Sequence, residues 1–190
     1  FARLAAAGAT IVTTGGAPVT PSPTSKTRAV IVEDPDGHFV ELAQLVPPPA
    51  TDAPASSNVI GIRFRVTVSD IERTAQFYRD HLGVAATPGP FTRSPGVMAM
   101  MGLPDTVEYR VTMTQVPGST LILEFLDLKG IDRAVVPARI QDPGAYRLQL
   151  DVADVDATVT GLKAAGSPVV STGGTPVRMT VQRPRRLAAV

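Results

Sequence analysis

A chain of 190 residues with 44% apolar residues is long enough for one large or two modest domains with a buried core. Its net charge of +1, without any long basic run, gives no reason to expect nucleic acid or an anionic membrane surface as a partner. Cysteine is absent, which excludes disulfides, thiolate metal sites and a cysteine nucleophile and fits a cytoplasmic protein, and no apolar run is long enough to cross a membrane.

Phe1–Ala7 reads as the end of an amphipathic helix closed by Gly8, so further sequence is expected before it, and Ala9–Val12 begins a short strand. A long loop through Gly15-Gly16 and Pro18–Ser25 leads to two strands, Arg28–Glu33 and His38–Leu45. Asp34-Pro35-Asp36-Gly37 joins them as a turn, because proline presets φ and glycine takes the left-handed position. Residues 46–57 are rich in Pro, Ala and Ser and lack any apolar period, the composition of an interdomain linker.

In the next stretch, Ile62, Phe64, Val66 and Val68 alternate with Arg63, Arg65 and Thr67, the period of a strand with one face against apolar neighbours. Ser69-Asp70-Ile71-Glu72 has the spacing of a capping box with Ser69 as the cap. The helix it opens carries Ile71, Ala75, Tyr78 and Leu82 on one face and stops at Gly83. Gly89–Gly102 reads as loop or short strand, with Met98, Met100 and Met101 as flexible core filler. Val107–Val116 and Ser119–Leu128 alternate as strands around the turn Pro117-Gly118, and Lys129–Gly144 is a connector.

The pattern then returns. Tyr146–Val152 alternates as a strand, and Asp154 caps a helix with Val155, Val159, Leu162 and Ala165 on one face and Gly166 at its end. Val68-Ser69-Asp70 recurs as Val152-Ala153-Asp154, 84 positions on. Leu4-Ala5-Ala6-Ala7-Gly8 recurs as Leu162-Lys163-Ala164-Ala165-Gly166, 158 positions on, and Thr14-Gly15-Gly16-Ala17-Pro18-Val19 returns at the same shift as Thr172-Gly173-Gly174-Thr175-Pro176-Val177. Nested repeats of this kind imply a helix-plus-strands module used twice per domain, and a domain used twice.

Three motifs carry a likeness to a known family. They are Val68-Ser69-Asp70-Ile71-Glu72-Arg73 leading to Phe77-Tyr78-Arg79-Asp80-His81-Leu82-Gly83; Val152-Ala153-Asp154 leading to Leu162–Gly166; and Asp34-Pro35-Asp36-Gly37-His38-Phe39-Val40-Glu41-Leu42. In their order and spacing they resemble the vicinal oxygen chelate superfamily of glyoxalases, bleomycin-resistance proteins and extradiol ring-cleaving dioxygenases. The resemblance implies an α+β fold in which paired βαβββ modules form an open cup-shaped sheet, in two tandem domains. Residues 1–45 would close a first domain, 46–57 link it to the next, and 58–190 form most of a second, with modules at 58–128 and 145–190 and an incomplete last strand.

Members of that superfamily usually hold a divalent metal in the cup on histidine and glutamate. Carried over residue by residue, the two histidine positions fall on Arg63 and Arg147, and a carboxylate position falls on Glu124. A second carboxylate position falls on Glu41 in the first domain, where the resemblance leaves a divalent metal open. Arginine has no lone pair to donate, and two cations facing one cup repel a divalent ion, so no metal cofactor is expected in the second domain. The two histidines, His38 and His81, lie away from these positions and read as structural or solvated.

Arg63, Arg65, Arg147, Gln149 and Asp151 share the cup-facing parity of their strands, with Glu124 joining them in the family register. Arg63 and Arg147 are expected near each other across the cup floor, with Arg65 adding a third cation and Glu124 answering one arginine in a fork. The reading that follows is a domain that binds a polar or anionic small molecule without metal, and a homodimer is compatible with it. Two alternatives stand beside it: a metal-dependent lyase or dioxygenase with its site on Glu41 in the other domain, and a cluster of salt bridges in a purely structural domain.

Overall fold

The alternation after Gly61 yields a strand, β3 (Arg63–Thr67), whose even-numbered side chains turn inward. Phe64, Val66 and Val68 pack on a core of Ile71, Ala75, Ala86, Leu123 and Phe125. Ile62 was expected on the same face but is 70% exposed, because it precedes the hydrogen-bonded ladder, which starts at Arg63. The helix α2 (Ile71–Leu82) buries Ile71 and Ala75, half-buries Tyr78 and Leu82, and ends at Gly83 in the left-handed conformation. That is the stripe and the stop read from the sequence.

The cap differs. Asp70, not Ser69, is the N-cap, its carboxylate accepting from the backbone N–H of Arg73 at 3.0 Å. Glu72 does not reach back to complete a capping box; Arg110 takes its carboxylate. A carboxylate at this position also suits the helix dipole. Asp70→Ala is therefore expected to cost about 1 kcal/mol and Ser69→Ala roughly half of that or less, measured as shifts in urea midpoint at constant slope. The reverse ranking would return the cap to Ser69.

The computed structural model describes residues 1–135 and 139–176, in two units, Phe1–Leu148 and a second beginning at Gln149. In the first unit, β4 (Glu108–Gln115) and β5 (Ile122–Lys129) form an antiparallel hairpin, and β3 pairs parallel with β5, giving the order β3-β5-β4. Thr92 bridges Tyr109 on the outer side of β4. A second sheet pairs β1 (Thr27–Glu33) antiparallel with β2 (Phe39–Leu45) across the predicted Asp-Pro-Asp-Gly turn. The short helix α1 (Ala2–Ala6) precedes it, and the expected strand at Ala9–Val12 contributes a single bridge, Ile11 to Val32.

Gly89–Gly102 is not only loop. Ser94 caps a six-residue helix, α3 (Pro95–Met100), with proline preset for its first turn. Met98 and Met100 are buried, and Met100 packs with Ala29 and Ile31 of β1. The backbones come very close here: a Cβ on Gly96 would lie 2.1 Å from the Pro21 carbonyl oxygen, so only glycine fits. Thr13 is buried beside this contact, its hydroxyl donating to the Met100 carbonyl and accepting from the Ile31 N–H, both at 2.8 Å. Residues from both sides of the Pro/Ala/Ser segment thus share one packed layer.

In the second unit Asp154 caps α4 (Val155–Ala164) as read, accepting from the Ala157 N–H at 2.9 Å. Val159 and Leu162 are half-buried, whereas Val155 and Ala165 are exposed. The expected strand over Tyr146–Val152 is absent among the described residues, because no strand there supplies it with a ladder partner. Tyr146 instead sets its ring edgewise on Phe64, and Leu148 packs against the core around Ile71. The expected continuation of the longer repeat over 177–190 lies outside the described residues. No described helix is long and apolar enough to cross a membrane.

Candidate functional site

Strand parity builds the site. With Phe64 and Val66 committed to the core, Arg63, Arg65 and Thr67 face the other side of the sheet, opposite Ile122, Glu124 and Leu126 of β5 in register. Met113 and Gln115 of β4 stand beyond Glu124 and Ile122 on that same face. The register therefore brings together three of the residues singled out from the sequence.

Glu124 is 1% exposed, and a carboxylate so placed needs cationic or hydrogen-bonding partners. Arg65 supplies them from Nε at 2.8 Å and Nη2 at 2.7 Å to Glu124 Oε2, and Arg63 Nη1 donates to Oε1 at 3.2 Å. Arg65 Nη1 also donates to Glu41 Oε2 at 2.7 Å, so β2 contributes a carboxylate to the same cluster. Arg63 and Arg65 thus meet two carboxylates, Glu124 and Glu41, where Glu124 alone was expected to answer them. Arg65 is spent on two carboxylates. Arg63 holds one hydrogen bond and its side chain is 58% exposed, so guanidinium N–H groups remain for another acceptor.

Arg63 lines an open pocket of about 230 Å³ with Met113, Thr114, Gln115 and Ile122. Met113 and Ile122 give it an apolar floor, and the Gln115 amide N–H is held by the Ser119 carbonyl at 2.7 Å, which leaves its oxygen as an acceptor. Met113 and Gln115 were not among the candidates, although the period-2 alternation of β4 gives them the required parity. Arg147 is exposed, and its side chain makes no hydrogen bond or ion pair with another described residue. Gln149 and Asp151 belong to the second unit.

A divalent metal does not suit this donor set. Both Glu124 oxygens are engaged by guanidiniums, and Glu41 is held by Arg65. No group of three or more His, Asp or Glu side chains among the described residues is placed to hold an ion. His38 sits against Asp34, Nδ1 to Oδ2 at 2.9 Å. The backbone N–H of His38 holds the Asp34 carboxyl below the usual carboxylate range, with the His38 ring and the Asp36 N–H adding to it against the opposing effect of desolvation. His81 lies edgewise on Phe77.

The opposite face carries a second ionic network, with no sequence signal except the odd polar residue in β5. Asp127 is buried and accepts from Arg110 Nη2 at 2.9 Å, and Arg110 also binds Glu72 and stacks on Phe91, 4.3 Å from the ring centre. Arg133 Nη2 lies 3.0 Å from Asp127 Oδ1 in ion-pair contact without hydrogen-bond alignment, because its N–H groups point at the Val68 and Ser69 carbonyls. This network fastens the start of α2 to the sheet.

The fold has a counterpart among solved structures. The crystal structure of a glyoxalase family protein from Bacillus cereus matches with a TM-score of 0.53 at 16% identity, over 60% of this chain and 77% of that one. That likeness speaks to the fold alone. No curated protein matches the sequence. Residues 62–182 match the glyoxalase/bleomycin resistance protein/dioxygenase superfamily, well over half of the chain, and they include β3, α2, the hairpin and α4. The chain belongs to that superfamily.

Proposed function

We propose that the chain is a small-molecule-binding member of the superfamily, and that the face built on β3, β4 and β5 takes a polar or anionic ligand without a metal. The observation that carries this reading is the state of Arg63: anchored to Glu124 by one hydrogen bond, more than half exposed, and standing over an apolar-floored pocket. A guanidinium so placed offers a carboxylate a forked pair of hydrogen bonds while its ion pair with Glu124 fixes its direction. The ligand class is a small organic carboxylate whose apolar body rests on Met113 and Ile122. Arg147 is the second cation offered for it. In the same reading the face is part of the open cup of a second tandem domain that starts after residue 57. A lyase or dioxygenase site on Glu41 draws no support from that residue's geometry, since its carboxylate is bound by Arg65.

The test is calorimetry of small carboxylic acids against their neutral amides. Carboxylates are expected to bind, and Arg63→Ala to weaken them by roughly tenfold to a hundredfold, the worth of a charged hydrogen bond, with little change in melting temperature because the side chain is exposed. Equal binding of the neutral amides, or an Arg63→Ala variant with undiminished affinity, would overturn the proposal.

A further inference from the structure

The second open pocket lies at the far end of the β1–β2 ribbon, and the chemistry around it is one-sided. Its volume is about 300 Å³, and it is lined by Thr20, Ser25, Lys26, Thr27, Arg28 and Val46. The Val46 N–H donates to the Lys26 carbonyl at 2.8 Å, which extends the β1–β2 ladder one residue beyond Thr27 and sets Lys26 opposite Val46. Arg28 stands opposite Gln44, and because Val19 bridges Ala29, Thr20 comes next to Arg28 on its other side. Lys26 and Arg28 are two residues apart along the strand, so their side chains leave the same face, about 7 Å apart at the usual rise.

Two cations at that spacing repel each other, and a strand face ordinarily answers them with an acid on a facing strand. Here the facing positions are Gln44, Val46 and Thr20, all uncharged. Among the described residues neither Lys26 nor Arg28 has a side-chain hydrogen bond or ion pair, and the hydroxyls of Thr20 and Thr27 have no partner either. Ser25 is used locally, its hydroxyl accepting from the Thr27 N–H at 3.1 Å, which shapes the turn into the strand. The pocket thus gathers an ammonium, a guanidinium and the Thr20 hydroxyl around an opening with no acidic group in its lining.

We infer that this is an oxyanion site separate from the Arg63 pocket, and that its ligand is a phosphate group, inorganic or carried as a monoester. Phosphate offers a charge for both cations and acceptor oxygens for the Thr20 hydroxyl as well, with Arg28 in a fork and Lys26 as a point charge. Carboxylates satisfy fewer of these donors and bind more weakly. The site does not depend on the function proposed for the β3–β5–β4 face.

Amide chemical-shift titration of the full chain at low ionic strength tests it, with inorganic phosphate, glycerol phosphate and sodium chloride as the three probes. Saturable shifts centred on Thr20 and Ser25–Arg28 are expected with phosphate, weakening as salt is added. If glycerol phosphate saturates at lower concentration than inorganic phosphate, the ligand is a monoester; if it fails to bind, the ligand is the free ion. Lys26→Ala combined with Arg28→Gln is expected to weaken phosphate at least tenfold, while Arg63→Ala leaves it unchanged. Both cations are exposed, so the variants should keep the parent's melting temperature. Shifts that grow linearly without saturating, an equal response to chloride, or phosphate binding lost in Arg63→Ala and kept in the double variant would each overturn the inference.

Discussion

Arg65→Ala is expected to destabilise the fold by about 3–5 kcal/mol, more than any other change to the charged face. The reason is what it leaves behind. Glu124 is buried between β3 and β4, and two of its three short contacts come from Arg65. Arg63 alone, 3.2 Å away and largely in solvent, cannot replace them, and Glu41 would lose its arginine as well. Replacing both members tests the explanation. In Arg65→Ala with Glu124→Leu the new leucine stands between Ile122 and Leu126 on the same face of β5, and most of the lost stability should return, because no buried carboxylate remains without a partner. Urea unfolding of both singles and the double gives the coupling directly. If Arg65→Ala costs less than about 1 kcal/mol, the cluster behaves as an exposed surface pair and the argument fails.

Phe125→Ala is expected to cost a similar amount, about 3–5 kcal/mol, through a different mechanism. Phe125 is 1% exposed on the core face of β5 and packs with Ile71, Ala75 and Leu123. Its ring centre is 4.7 Å from that of Tyr78. Truncation removes the apolar area and leaves a cavity that β5 cannot close, since the strand is paired on both sides by β3 and β4. Phe125→Leu keeps part of the volume and should recover a large share of the loss. The same burial raises the Tyr78 phenol above its ordinary pKa, with Tyr146 adding to the effect, so opening the core in Phe125→Ala should move the Tyr78 titration back toward that value. An unchanged Tyr78 titration in a destabilised variant would count against this picture of the core.

The two faces of β3 differ in how far they could be read from the chain. Alternation places Phe64 and Val66 on one side and Arg63 and Arg65 on the other, and a strand's geometry leaves little else for those residues to do. The pairing of Arg65 with Glu41 could not be read the same way. Glu41 belongs to a different sheet, and nothing local to either residue says that β2 ends up beside β3. The expectation that Glu124 alone would answer the arginines missed Glu41 for that reason. At the start of α2, serine and aspartate are both good caps, and the choice between them rests on Arg110, 38 residues away from the Glu72 it removes from the capping box. The helix α3 was hidden because six residues with a proline and a glycine have no helical period to detect. Tyr146–Val152 has the alternation of a strand, but alternation describes only the faces; the ladder must come from a neighbour.

The buried hydroxyl of Thr13 also bears on how this molecule folds. Its hydrogen bond to the Met100 carbonyl joins residues 87 positions apart, and the parallel β3–β5 pairing brings together residues about sixty positions apart, such as Arg63 and Ile122. Closing so long a loop adds little to the thermodynamic cost, because each doubling of loop length adds only about 0.6 kcal/mol. Its effect is on time. The hairpin of β4 and β5 and the capped turn of α2 depend on close sequence neighbours and can form early, whereas the layer of Thr13, Ile31 and Met100 waits until distant segments meet, which places this chain among slow folders for its size.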